Sequence, residues 1–340
     1  MHILITGAAG FLGQRLARHL LANPQLERLT LSDLAPPPIP DNDSRVISLC
    51  ADLSRPLASK EIVTRDVTTV YHLAAVVSGQ AEANFDLGMA VNCEGTRYLL
   101  EAVRHQAPGA QFIFASSLAV FGGDLPTVIT DDTILRPQSS YGTQKAVCEL
   151  WVNDYSRKGF IDGRVLRLPT VCVRPGKPNA AASSFASSII REPLRGETAV
   201  CPVDPMLSLW LSSPTAVVNN LMHALTLRTA QFEDSRTLNL PGITVKVQAM
   251  IDALEEIAGK AVTDHIRYRP DQTISEIVAS WPSQFDVTRA ITLGFECDHS
   301  FQDIIRSFML ETTTSKTDIV KKNSIKKNNI DRASRSTPRE

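Results

Sequence analysis

Ile3-Leu4-Ile5-Thr6-Gly7-Ala8-Ala9-Gly10-Phe11-Leu12-Gly13 is an apolar run that breaks into a glycine turn and passes at once into a helix-periodic stretch. A buried strand, a tight turn and a helix are expected, the glycines supplying positive φ freedom and close backbone approach. The first turn of such a helix leaves N–H groups unpaired and carries the positive end of the helix dipole, so it suits a pyrophosphate. The spacing is G-x-x-G-x-x-G, one residue off the commonest dinucleotide pattern, and alone it is a weak signal. Its weight comes from residues further along the chain.

Leu29-Thr30-Leu31-Ser32-Asp33 reads as a second strand ending in an acid, twenty residues beyond Gly13. A carboxylate at that distance accepts hydrogen bonds from an adenosine ribose and repels a 2′-phosphate. No lysine or arginine occurs in Leu34-Ala35-Pro36-Pro37-Pro38, so the pattern favours NAD over NADP. Residues 45–49 and 67–73 read as further strands. Asp52-Leu53 after the first of these can reach adenine, and His72-Leu73-Ala74-Ala75 closes the second with small residues that let backbone lie against a cofactor. His72 itself reads as a packed strand-end histidine rather than a base. A long helix is expected over 81–104 with Asn92 inside it, a fifth strand over 111–115 running into Ser116-Ser117, a helix from Ser139 to about Lys158, and a sixth strand over 164–169. This alternation means a parallel doubly wound α/β sheet, whose right-handed crossovers bring all these strand ends to one edge.

Beyond residue 178 the pattern loosens. Helices near 184–195, 215–227 and 247–258, with a short strand at 237–240, read as a smaller C-terminal α+β cap over 179–310. Residues 1–178 form the cofactor-binding unit, which shares some C-terminal segments. The stretch 311–340 reads as a disordered polar tail, because 312–340 hold eight Lys/Arg against three Asp/Glu and few apolar residues. The whole chain has 340 residues, 43% hydrophobic and 21% charged, with net charge −1. That gives ample core and no electrostatic case for nucleic acid or a membrane surface as partner. No apolar run approaches the ~20 residues of a membrane span, and the amino terminus reads as a strand rather than a signal peptide. Six cysteines without a C-x-x-C pair read as reduced, mostly buried thiols of a cytoplasmic protein, with no metal site.

Tyr141 and Lys145 are four apart, hence on one helix face. A phenol's ordinary pKa of about 10 is too high for a base near neutrality. A fixed ammonium one turn away, with the positive ring of an oxidised nicotinamide, is expected to lower it. Ser117 at a strand end can hydrogen-bond the substrate oxygen as its charge changes. Tyr141 then takes a hydroxyl proton while hydride leaves for the nicotinamide.

Thr6-Gly7-Ala8-Ala9-Gly10-Phe11-Leu12-Gly13, Asp52-Leu53, His72-Leu73-Ala74-Ala75, Ser116-Ser117-Leu118-Ala119-Val120-Phe121-Gly122 and Tyr141-Gly142-Thr143-Gln144-Lys145 together resemble the extended short-chain dehydrogenase/reductase family over roughly residues 1–310. That family includes the NAD-dependent epimerases and dehydratases. The resemblance implies a Rossmann-type fold with Gly7, Gly10, Phe11 and Leu12 on the pyrophosphate, and Asp33 on ribose. It puts Asp52 with Leu53 at adenine, and Leu73 and Ala74 on the adenosine side. Ser117, Tyr141 and Lys145 would be catalytic, Tyr141 and Lys145 also touching the cofactor with Lys145 on the nicotinamide ribose, and Asn92 matches a helix asparagine that supports the active site and would contact the cofactor. Phe121 stands where many relatives carry tyrosine, removing one polar group. Family members often form homodimers through the helices carrying Asn92 and Tyr141.

Leu166-Arg167-Leu168-Pro169-Thr170 and the stretch from Val173 to Ser183 are similar to a subgroup that oxidises the C2 hydroxyl of a four-carbon sugar acid with NAD. A small hydroxy acid needs a cation for its carboxylate. Arg174 is the candidate, though a structural arginine remains the other reading. Asn179 and Ser78 can hydrogen-bond substrate hydroxyls or cofactor, or merely supply loop polarity. Trp210 and Phe185 read as core packing. The alternative activity is a sugar-nucleotide epimerase using the same triad with tightly bound NAD. Dehydration is disfavoured because Leu118-Ala119 replaces the acid pair that elimination uses, and a cofactor sensor has no need of the triad.

Overall fold

The structure, a computed structural model, describes residues 1–233 and 235–312. Six strands come first: β1 (His2–Thr6), β2 (Arg28–Asp33), β3 (Val46–Cys50), β4 (Val67–His72), β5 (Gln111–Ser117) and β6 (Asp162–Leu168). Six more come after them: β7 (Thr170–Val171), β8 (Ala199–Cys201), β9 (Ser208–Ser212), β10 (Thr237–Asn239), β11 (Ile243–Lys246) and β12 (Ile266–Tyr268). The central sheet is parallel throughout, ordered β10-β6-β5-β4-β1-β2-β3. Strand β1 lies inside it, between β4 and β2, and is buried along its length, which is why it reads as an unbroken apolar run rather than an alternating one. The strand order reverses between β1 and β4, and a crevice opens there above the carboxyl ends.

Side chains alternate across β1. Ile3 and Ile5 pack with Leu16 and Leu20 of α1 (Phe11–Leu21), while Leu4 faces the other layer with Leu99 and Leu100 of α2 (Gly95–Gln106) and Val152 of α3 (Ser140–Arg157). The single helix expected over 81–104 is broken. Short helices span Ser78–Ala83 and Phe85–Gly88, a turn of π-helix spans Met89–Glu94, and only then does α2 begin. Asn84 makes the break: it is extended (φ −140°, ψ 90°), and its side chain accepts the Leu87 N–H, capping a new helix start.

The cap holds a three-stranded sheet (β11-β9-β7), the β8–β12 pair, α4 (Ser184–Arg191) and a helix over Val247–Ala258, packed around Phe185, Ile189, Leu254 and Ile305. Not all of 179–310 lies there. Helix α5 (Pro214–Thr226) packs on α1, and β10 extends the large sheet beside β6, so Val217, Leu221 and Leu238 belong to the first core. Residues 311 and 312, expected in the tail, close a helix over 301–312, where Glu311 pairs with Arg15 of α1 (Nη1–Oε2 2.9 Å). The rest of the expected tail lies outside the described residues.

Candidate active site

Gly10 caps α1 with extended backbone, no side-chain cap and no acid in the first turn, so the N–H groups of that turn are left without a side-chain acceptor at the cap. Of the three turn glycines, only Gly7 takes positive φ (72°), and a Cβ there would stand 2.5 Å from the Ala74 nitrogen. Gly13 serves contact instead: its Cβ would meet the Gly7 carbonyl oxygen at 2.5 Å. Asp33, ending β2, is tied to the turn, since Oδ2 accepts the Ala9 N–H (2.9 Å) and Oδ1 accepts the Leu34 N–H (2.7 Å).

A cavity of about 470 Å³ runs along the strand ends, within the ~300–1,000 Å³ usual for cofactor-sized ligands. It is lined by Gly7, Gly10, Phe11 and Leu12, by Asp33, Asp52 and Leu53, by Leu73 and Ala74, and by Tyr141, Lys145, Arg174 and Asn179. An uncapped helix end, a cradle that Cβ atoms would fill and a carboxylate at the end of β2 fit a dinucleotide. A second cavity of about 140 Å³ adjoins it, sharing Tyr141 and Arg174 and adding Ser78, Ser117, Thr170, Ser183 and Trp281.

Two expected cofactor contacts lie elsewhere. Ser78 lines only the smaller cavity, and its Oγ accepts the Ala182 N–H (3.0 Å), holding the 174–183 segment. Asn92 is buried behind the wall: Oδ1 accepts the Val76 N–H (2.8 Å), and Nδ2 donates to the Val76 carbonyl (3.0 Å) and to Gln144 Oε1 (2.7 Å). Both side chains satisfy protein groups. Lining residues not anticipated are Leu34, Val76, Val77, Gln80, Leu87 and Val91. Leu87 and Val91 recur at helical spacing within 85–94, a signal that marks a helix face without saying what covers it.

The catalytic candidates meet because α3 starts hard against the turn after β5. Ser139 Oγ accepts the Gly142 N–H (3.1 Å), and a Cβ on Gly142 would stand 2.0 Å from the Ala119 carbonyl oxygen. Lys145 is buried, its Nζ donating to the Ala115 carbonyl (2.8 Å) and lying 5.8 Å from the Tyr141 ring centroid. Burial pushes Lys145 down to about 8. It pushes Tyr141 up to about 12, with the Ser117 hydroxyl pulling it back. Loss of water sets this direction for Tyr141, and the lowering expected beside an oxidised nicotinamide belongs to the cofactor-bound site. One helical turn on, Glu149 accepts from Ser116 Oγ (2.5 Å) and from Arg167 (2.8 Å), a buried ion pair beneath the site.

Arg174 is half-buried, and burial lowers its pKa. Its main chain is held by Ser187 Oγ, which accepts its N–H, and by Arg191, which donates to its carbonyl (2.6 Å). Among the described residues its guanidinium has no hydrogen-bond or carboxylate partner. Asn179 lines the larger cavity while its Oδ1 accepts the Ala181 N–H. His72 is structural: burial drops it to about 3, and its nitrogens bond Thr6 (2.7 Å) and Thr96 (2.8 Å). Phe121 and Trp210 both pack on Phe285, and Phe185 lies in the cap core. Among the described residues no cysteines are paired and no His/Cys/Asp/Glu group is placed to hold a metal, although Cys50 is exposed.

The profile of the NAD dependent epimerase/dehydratase family matches residues 3–210. The chain is 52% identical to a D-erythronate dehydrogenase of Haemophilus influenzae over 91% of its own length and 99% of the relative's. For a D-erythronate dehydrogenase of Cupriavidus necator the values are 50%, 93% and 100%. Among solved structures, a nucleoside-diphosphate-sugar epimerase from Agrobacterium tumefaciens superposes with a TM-score of 0.85 at 42% identity, covering 90% of this chain and 92% of that one. L-threonine 3-dehydrogenase from Trypanosoma brucei superposes at 0.82 and 25%, covering 91% and 96%.

Proposed function

The chain belongs to the NAD-dependent epimerase/dehydratase family and is an NAD-dependent dehydrogenase, and from that premise we propose that it oxidises the C2 hydroxyl of D-erythronate to 2-oxo-erythronate. The observation that carries the substrate is Arg174. A half-buried guanidinium without a carboxylate partner among the described residues, on the wall shared by both cavities and by Tyr141, is matched by a carboxylate ligand. Hydroxyl-bearing Ser117, Thr170 and Ser183 suit a polyol beside it.

In this reading Gly7, Gly10, Phe11 and Leu12 hold the pyrophosphate, Asp33 the adenosine ribose, and Asp52, Leu53, Leu73 and Ala74 the adenine side. Bound NAD supplies the hydride acceptor. Ser117 orients the substrate hydroxyl, Tyr141 takes its proton, and Lys145 keeps positive charge beneath the phenol below a pH of about 8. Residues 1–178 with their returning segments carry the cofactor, and 179–310 carry most of the cap. A cytoplasmic homodimer through the helices bearing Asn92 and Tyr141 belongs to the same reading, supported by Phe85, Met89 and Leu150 exposed there.

The alternative is a sugar-nucleotide epimerase, favoured by the name of the 42% identical structure. The size of the smaller cavity, about 140 Å³, opposes it, since a nucleotide sugar needs far more room. Purified protein supplied with NAD and a panel of aldonic acids and UDP-sugars separates the two. Net NADH with D-erythronate is expected; turnover of a nucleotide sugar without net NADH overturns the proposal.

A further inference from the structure

The smaller cavity is lined from residues before 184 with one exception, Trp281. This side chain comes just after the helix Gln272–Ala279, where its backbone N–H donates to the Val278 carbonyl (3.2 Å), and its ring rests on the cap core. Its indole Nε1 is buried and has no hydrogen-bond partner among the described residues. Buried tryptophan N–H groups ordinarily find an acceptor, and Trp210 does so at the Leu240 carbonyl (3.4 Å). An orphaned donor on a residue that lines a ligand cavity is what a ligand oxygen would satisfy once the ring turns towards it.

We propose that Trp281 sets the chain length of the substrate: its ring limits the cavity, and its indole N–H donates to the terminal hydroxyl of a four-carbon acid. This rests on the reading that Arg174 takes the carboxylate and that Ser117 and Tyr141 take the C2 hydroxyl. Those contacts use the charged and catalytic groups and leave the far hydroxyls to the remaining wall. Ser78, Thr170 and Ser183 offer hydroxyls on that wall, while the Trp281 indole N–H is a buried donor left without a partner among the described residues. A six-carbon acid has two further hydroxymethylene units to place, and the bulkiest side chain of the lining stands in their way.

The test compares wild type, Trp281→Phe and Trp281→Ala on D-erythronate, on its 4-deoxy analogue and on D-gluconate, with NAD affinity as the control for folding. Trp281→Phe keeps the ring and removes the donor. It is expected to lose about tenfold in kcat/KM on D-erythronate, mostly through KM, and less than about twofold on the 4-deoxy acid. Trp281→Ala is expected to raise the D-gluconate to D-erythronate ratio of kcat/KM by about tenfold or more. An active wild type whose Phe variant treats both four-carbon acids alike, or whose Ala variant leaves the ratio unchanged, overturns this inference alone. A wild type inert towards all three acids overturns the D-erythronate reading and this inference with it.

Discussion

Lys145 is a cation held in a place that disfavours charge, and that has a measurable signature. Its pKa is pushed down to about 8, against an ordinary value of about 10.4. Below pH 8 both folded and unfolded chains hold the proton, so the cost of burying it is present in full. Between the two values the folded chain releases the proton first, and stability recovers as pH rises. Lys145→Met is therefore expected to abolish turnover yet raise stability at pH 7 by about 1–3 kcal/mol, after allowance for the lost bond to Ala115. Denaturant midpoints should show the gain shrinking towards pH 10; an equal gain at both pH values would refute the assignment. Tyr141→Phe is expected to cut kcat by about 10²–10⁴-fold with NAD affinity kept. Arg174→Ala should raise KM for the acid by roughly tenfold or more, with Arg174→Lys intermediate; an unaltered KM moves the carboxylate elsewhere. The letters at 141 and 145 announced their shared face. They could not announce that Lys145 would bond a carbonyl, because that depends on where β5 ends beneath it.

At the scale of the element, the contact between α3 and the turn after β5 decides whether the site exists. Helix propensity alone says Gly142→Ala should help, by up to about 1 kcal/mol. The close approach says otherwise, because the added carbon would overlap a backbone oxygen that cannot step aside. Gly142→Ala is expected to lower both Tm and activity, and a raised Tm would show that α3 has slack. Strand β1, its turn and α1 were readable because their burial, periodicity and punctuation agree. The helix over 81–104 was misread because apolar spacing carries through Asn84, while one residue's backbone and cap divide it. Asn92 and Ser78 show a different limit: an amide or hydroxyl that holds the backbone carries the same letter as one that touches a ligand.

Across the whole molecule, the chain leaves the large sheet after β6, builds part of the cap, and returns through α5 and β10 before finishing in the cap. Sheet and cap are thus threaded together rather than strung in series. The return was not legible, since β10 is three residues long and its partner β6 lies some seventy residues earlier. Trp151 lies against the sheet core while Trp281 lies against that of the cap, so tryptophan fluorescence samples both. One cooperative unfolding transition is expected, shifted upward by NAD, with about 2.7 kcal/mol gained at a hundred times its Kd. Two transitions with only one responding to NAD would show the cap to be independent.

Asn92 also has a mechanical meaning. One amide grips both backbone groups of Val76, which walls the cofactor cleft, and reaches Gln144, the neighbour of Lys145 on α3. The wall and the helix bearing Tyr141 are thereby gauged from a single datum rather than from two. An error in the seating of α3 is copied into the cleft instead of accumulating between them, so the spacing from the cleft wall to Tyr141 is kept even as the surroundings breathe.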